Sequence, residues 1–408
     1  MTEQTNTPIL RFKGFNDEWS LSTIGALGDF YYGKSAPKWS ITKDVGIPCI
    51  RYGELYTKFN NVVNEIYSYT SMPKEKLRFS KGGEILIPRV GEDPLDFAKC
   101  VYLPQKDIAI GEMISVYNTK ENPLFLTYYF NTKMKYEFAK RVEGASVSNL
   151  YYSYLEDIKL KIPDIREQQK LGVFFSKLDR QIELEEEKLE LLEQQKRGYM
   201  QKIFTQELRF KDKNGNAYTN WRTIELKNIL EKVIDNRGKT PDNSSSEKYP
   251  LLEVNALGYY HPSYKKVSKF VSESTYNNWF REHLKENDIL FSTVGNTGIV
   301  SLMDGYKAVI AQNIVGLRVN SNNLPAFVYY MLSYWENQKK IKRIQMGAVQ
   351  PSVKVSQFKF IKYLVPIKDE QEKIANLLSE IDKIINKQLI KIELLKQRKK
   401  GLLQKMFV

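Results

Sequence analysis

Cysteine and histidine are scarce in this 408-residue chain, which has two of each: Cys49, Cys100, His261 and His283. Two cysteines cannot build a multi-bridge disulfide framework, and a reducing cytoplasm is the expected compartment. With so few soft ligands, a structural zinc site is not expected. Long apolar runs are missing too; none approaches the roughly 18 residues of a membrane span. Residues Met1 to Pro8 are polar and lack the basic and apolar regions of a signal peptide, so no membrane partner is expected.

Catalytic signatures are equally sparse. There is no phosphate-binding P-loop, which argues against an ordinary ATPase motor. A methyltransferase would need a Gly-rich loop and an Asn/Asp-Pro-Pro-aromatic motif. The nearest string, Asn122-Pro123-Leu124-Phe125, lacks the second proline and reads as a turn opening a helix. A nuclease would need clustered carboxylates with a lysine, whereas Pro241-Asp242 sits in the polar run DNSSSEK and reads as a turn. His283 lies between Glu282 and Leu284 and reads as a surface histidine rather than a general base. The chain is therefore not expected to be an enzyme.

What is present is a globular composition, 42% hydrophobic and 27% charged, long enough for two domains. The 62 Lys and Arg exceed the 48 Asp and Glu by 14, which points towards a polyanion.

An internal repeat organises the rest. Residues 163–204 and 366–407 align without a gap at an offset of 203 with 17 of 42 positions identical, among them Glu167/Glu370, Gln168/Gln371, Asp179/Asp382 and Gly198/Gly401. Upstream, GASVSNL at 144–150 matches GAVQPSV at 347–353, and GEILIPRVG at 83–91 parallels NDILFSTVG at 287–295. YYGKSAP at 31–37 parallels DNRGKTP at 235–241, and LRFKGFNDEW at 10–19 parallels LRFKDKNGNAYTNW at 208–221. The order is a globular unit (1–165), a long helix (166–205), a second globular unit (206–368) and a second long helix (369–408).

The fold class expected is α+β. Runs such as Glu84–Pro88, Asp288–Ser292 and Ala308–Val319 read as strands, and 124–142 and 325–345 as helices. In the long helices apolar residues recur in alternating steps of four and three, from Leu171 to Ile203 and from Ile374 to Met406, the period of a coiled-coil seam. Glu185 and Lys196 interrupt the first seam, Gln388 and Lys399 the second. Antiparallel pairing with Glu185 opposite Lys399 also sets Lys196 opposite Gln388, whereas parallel pairing buries like charges. Such a pair, about 58 Å long at ~1.5 Å per residue, is expected to hold the globular units apart about a pseudo-twofold axis. That geometry suits a two-part site on DNA, whose groove faces recur about every 34–36 Å.

Base edges and phosphates are contacted by Lys, Arg, Asn, Gln, Ser and Thr. The candidates occupy loops present in both copies yet different in sequence. In the first unit they are Lys34, Ser35, Arg51, Tyr52, Arg89, Glu92, Ser146, Ser148 and Asn149. In the second they are Arg237, Lys239, Thr240, Asn255, Thr293, Asn296, Thr297, Gln350 and Ser352. Net charge is +1 over 1–165 and +10 over 206–368, so the second unit is expected to make more phosphate contacts. Lys339, Lys340, Lys342 and Arg343 read as solvent-facing or phosphate-facing.

LRFKGFNDEW, GEILIPRVG, the segment from Ile162-Pro163 to Glu167-Gln168, its counterpart VPIKDEQ at 365–371 and the terminal GLLQKMF resemble the specificity subunit of type I restriction–modification systems. The resemblance covers essentially the whole chain. It implies two target-recognition domains, each reading half of an asymmetric bipartite site in double-stranded DNA. It also implies two modification subunits docked on the helical regions, which supply S-adenosylmethionine and adenine-N6 methyl transfer, and restriction subunits that use ATP and Mg. No cofactor is expected on this chain. The alternative is a non-catalytic coiled-coil scaffold without sequence-specific DNA binding.

Overall fold

A computed structural model describes residues 7–34, 36–144, 148–236 and 238–408. The chain divides into two compact units, Met1–Glu186 with Lys391–Val408, and Glu187–Ile390. Each unit therefore contains one globular region, the near part of its own long helix and the far end of the other. The long helices run Ile165–Phe204 and Lys368–Met406.

In the first unit, among the described residues, a four-stranded antiparallel sheet has the order Gly28–Tyr32, Ile114–Thr119, Glu84–Pro88, Val101–Leu103. Its central strand is buried at every position, because the sheet is covered on both faces. Ile85 and Ile87 enter one apolar cluster with Trp19, Phe125 and Phe407, while Leu86 enters another with Val101, Leu103 and Val116. Alternate side chains point to opposite faces, so a strand sandwiched in this way reads as a continuous apolar run. A second sheet pairs Ile47–Ile50 in parallel with Lys106–Ile110. Ser20–Thr23 closes against Lys159–Ile162.

The second unit repeats the scaffold. Its four-stranded sheet has the order Leu230–Ile234, Ile314–Val319, Ile289–Ser292, Val300–Leu302. Ile289 and Phe291 face one cluster and Leu290 the other. Tyr249–Leu252 pairs in parallel with Val309–Ile310, whereas Arg222–Glu225 pairs antiparallel with Lys362–Val365. The single strand expected over Ala308–Val319 is two, Val309–Ile310 and Ile314–Val319, which belong to different sheets. The expected helices also divide, into Pro123–Lys133 and Lys135–Ala139, and into Pro325–Ser333 and Trp335–Arg343. Their breaks fall at Met134 and Tyr334, which leave helical geometry.

The repeated Glu-Gln pair has a structural purpose in both copies. Glu167, 1% exposed, receives two hydrogen bonds from Arg11 at 2.7 and 2.6 Å. Glu370, fully buried, receives Arg209 at 2.7 and 2.9 Å and also the Trp221 indole at 3.1 Å. Each glutamine accepts a backbone N–H at the start of the neighbouring helix, Asn122 to Gln168 and Leu324 to Gln371, and donates to the proline five residues before it. The Arg-Phe near each unit's start and the Glu-Gln of each long helix thus form one joint, written twice.

The long helices pair antiparallel in each unit. In the first, Lys399 ion-pairs with Asp179, Lys396 with Glu186 at 2.6 Å and Lys391 with Glu185 at 2.5 Å. In the second, Lys196 pairs with Asp382 at 2.6 Å. The expected partners are corrected here: Lys399 takes Asp179 rather than Glu185, and Lys196 takes Asp382 rather than Gln388, although all four seam positions are at least half-buried. The reason is preorganisation. Asp179 already accepts from Tyr128 at 2.7 Å and Asn61 at 2.8 Å, and Asp382 accepts from Tyr330 at 2.7 Å. A lysine leaving water gains most from a carboxylate that is itself held and hydrogen-bonded. Each amine also lies over the tyrosine ring, Lys399 at 5.6 Å from Tyr128 and Lys196 at 5.4 Å from Tyr330. Burial, then the aspartate, pushes both tyrosine hydroxyls up from their ordinary range.

Candidate nucleic-acid interface

In the first unit the short segment Ile110–Ile114 ties several candidate loops together through the backbone. Lys34 N–H donates to Ile110 O, Gly111 N–H to Ile50 O, Arg89 N–H to Met113 O, and Gly33 N–H to Ile114 O. Gly33 is required by this approach, since an added Cβ would lie 2.1 Å from the Gly111 carbonyl. Leu150 N–H then donates to Arg89 O. Lys34, Arg51, Arg89 and Asn149 therefore collect at one end of the sheets.

Their side chains differ in availability. Lys34, Arg51, Tyr52 and Glu92 are exposed. The Lys34 amine donates to Glu75 O at 3.3 Å, and Arg51 opens the helix Tyr52–Thr57 with its N–H on the Glu54 carboxylate. Arg89 is half-buried, with its guanidinium 4.8 Å from the Tyr32 ring and 5.7 Å from the Tyr151 ring. Ser148 is buried at 5% exposure, where it pairs with Gly91, so its hydroxyl is not a surface group. Asn149 exchanges backbone hydrogen bonds with Glu143. Ser35 and Ser146 lie outside the described residues.

The second unit brings Thr293, Asn296, Thr297, Gln350 and Ser352 together in the same way. Thr293 N–H donates to Asn313 O, Val353 N–H to Thr293 O, and Gly295 N–H to Pro351 O. Gln345 donates its side-chain amide to the Thr297 hydroxyl at 2.6 Å. Thr293 is buried at 7%, whereas Asn296 and Gln350 are exposed. The hairpin repeats as well: Met346 and Ser352 exchange the bonds that Glu143 and Asn149 exchange in the first unit. Its turn holds glycine in the left-handed region in both copies, Gly144 at φ +115° and Gly347 at φ +87°. That is what the repeated Gly-Ala string encodes. Lys239 and Thr240 are exposed after the strand Leu230–Ile234, and Asn255 is exposed with its amide on Lys266 O at 3.3 Å. Arg237 lies outside the described residues.

Tyr32 and Tyr151 did not stand out in the sequence, because aromatic residues read as core and no string marks a ring that will lie over an arginine. The Asp179 and Asp382 clusters were signalled by identity between the copies, but their partners come from distant segments. Beside Asp179 lies a groove of about 580 Å³ lined by Lys99, Lys396, Lys399, Glu183 and Glu186. Its lining charges oppose one another, so it offers no field of one sign. Among the described residues, no group of three or more His, Cys, Asp or Glu could hold a metal, and no helix is long and apolar enough to cross a membrane.

A scaffold written twice, bearing loops of different polar chemistry at the same strand ends, defines a protein of two related units with paired long helices. Residues 16–194 and 218–394 each match the family described as the type I restriction modification DNA specificity domain, and the chain belongs to that family. It is 30% identical over 200 residues to the type I restriction enzyme MjaX specificity subunit of Methanocaldococcus jannaschii, covering 47% of each chain. It is 23% identical over 300 residues to the MjaVIII specificity subunit of the same organism, covering 70% of each. The chain thus spans about half the length of the first of these relatives. Its fold is similar to that of the S subunit of a type I restriction-modification system from M. genitalium, with a TM-score of 0.64, 16% identity and coverage of 98% of this chain and 99% of that one. It is also similar, with a TM-score of 0.55, 13% identity and coverage of 96% and 98%, to a chain from a structure describing complex assembly and conformational transition of the type I R-M system.

Proposed function

We propose that this chain is the DNA-reading component of a type I restriction–modification complex. Its two target-recognition domains each read one half of an asymmetric bipartite site in double-stranded DNA. The observation that carries this reading is the pair of matched strand ends, where shared backbone hydrogen bonds hold Arg89 in one domain and Thr293 in the other. A scaffold kept constant beneath side chains that differ is what two different half-sites require, since base edges are distinguished by donor and acceptor pattern.

The chain itself performs no chemistry in this reading. Two modification subunits dock on the helical regions and carry S-adenosylmethionine and adenine-N6 methyl transfer. Restriction subunits supply ATP- and Mg-dependent translocation and cleavage, all in the cytoplasm. Support comes from the family and from the absence, in the sequence, of methyltransferase and ATPase motifs. Sequencing methylated adenines in cells with and without this gene tests the proposal. A two-part motif methylated only in its presence is expected. An unchanged methylation pattern, with no sequence preference by the purified chain, would leave a coiled-coil scaffold as the better description.

A further inference from the structure

Arg89 differs from the other half-buried arginines among the described residues. Arg11, Arg141, Arg209 and Arg318 each form an ion pair with a carboxylate. Arg89, among the described residues, forms none. Its guanidinium is packed against Tyr32 and Tyr151, and its Nε is buried without a hydrogen-bond partner. The two terminal nitrogens are not among the buried unpartnered atoms, and among the described residues no group accepts from them, so they face outward. The side chain is held at its base and free at its fork.

We propose that Arg89 is a specificity-determining residue of the first recognition domain and reads a guanine through its terminal nitrogens. The inference rests on the DNA-reading function above and assigns it a base. Packing against aromatic faces fixes the plane of a guanidinium and so preorganises its two outward donors. Guanine presents two acceptors, O6 and N7, on one major-groove edge, and a planar fork matches them in bidentate fashion. Lys34 and Arg51, exposed on neighbouring loops joined to the same segment, are placed to position the phosphates without selecting a base.

The second domain argues the same point by contrast. Thr293 occupies the equivalent strand end and is buried, and Lys354, which follows Val353, stands where Tyr151 follows Leu150. Among the described residues neither fork nor ring is present at that strand end, so no guanine is read in this manner from Thr293.

The test is selection of bound duplexes from a randomised library by the full chain, comparing the natural sequence with Arg89→Lys and Arg89→Gln. The natural chain should select a two-part motif with guanine at one position of one half. Arg89→Lys keeps the charge but loses the fork, and should reduce the preference for guanine there by about ten-fold or more. The remaining positions and the other half should be unchanged, which also shows that the variant is folded. Arg89→Gln should move the preference at that position towards adenine. If Arg89→Lys weakens binding uniformly and leaves every base preference intact, Arg89 is a phosphate contact or a brace and the guanine assignment is overturned. If the natural chain selects no motif at all, the DNA-reading function itself fails, and this assignment with it.

Discussion

The first DNA specificity domain ends its central strand in an arginine that lies over two tyrosine rings, and the second ends the same strand in a buried threonine. Around both, the backbone bonds are the same, from Arg89 to Met113 and from Thr293 to Asn313. The contrast extends to the acidic residue that opens this strand. Glu84 accepts from the Tyr31 hydroxyl, a neutral donor, whereas Asp288 is held by both arms of Arg318, which also reaches Glu282. Charge follows the same division, +1 over 1–165 against +10 over 206–368. Selection on such a molecule can change the fork of a loop without touching the ladder beneath it, because side chains and backbone bonds answer to different constraints.

The two aspartate clusters are where the domains should behave alike. Asp179→Ala leaves Lys399 and Tyr128 without their carboxylate, and Asp382→Ala leaves Lys196 and Tyr330 in the same position. Each should cost about 3 kcal/mol, the scale for removing one partner of a buried pair, and thermal unfolding should show nearly equal losses. A loss confined to one of the two would break the equivalence.

The Glu-Gln joints should behave unequally. Arg11→Ala strips Glu167 of its only side-chain donor among the described residues, whereas Arg209→Ala leaves Glu370 with the Trp221 indole. Arg11→Ala should therefore be the more destabilising by about 1 kcal/mol, roughly one hydrogen bond. Equal losses would mean that the Arg209 bonds to the Tyr218 and Thr219 carbonyls, which Arg209→Ala also removes, offset the indole.

Acid should separate the domains as well. Lys232, then Arg318, holds the Glu282 carboxyl down at about 2, from an ordinary 4.5. A lowered folded-state value contributes stability that is present above pH 4.5 and is lost as pH falls towards about 2. The difference in melting temperature between the natural chain and Lys232→Ala should therefore be full at pH 6 and shrink across that window. A difference independent of pH would remove the charge interaction from the account.

Much of this was legible in the sequence, and the reasons differ by residue. The offset of 203 exposes the two long helices and the joints at Glu167 and Glu370, because residues that bond the same partner in both copies are held identical. The strand over Ile85–Ile87 could be read from its apolar run, since burial on both faces leaves no polar positions. The helix partners could not. Lys399 and Lys196 are seam residues by period, yet their partners are chosen by Tyr128, Asn61 and Tyr330, which hold the aspartates from distant parts of the chain. That several loop candidates share strand ends was legible through repetition with difference. Ser148 and Thr293 fell inside because they lie in backbone ladders that hydrophobic periodicity does not register.

A smaller effect concerns phosphates. Lys239 is exposed, whereas the Lys34 amine already donates to a backbone carbonyl. Lys239→Ala should flatten the salt dependence of DNA binding by up to about 0.9 in slope, the value for one phosphate contact on duplex DNA, and Lys34→Ala should flatten it less. Equal slopes for the two variants would show that net charge is no guide to where the phosphates lie.

The central claim is that one scaffold carries two independent readers. Its most direct measurement is adenine-methylation sequencing in cells expressing the chain with residues 1–165 exchanged for those of a relative with a different target. One half of the methylated motif should change while the other half and the separation between them stay as they were. A change in both halves would contradict the account.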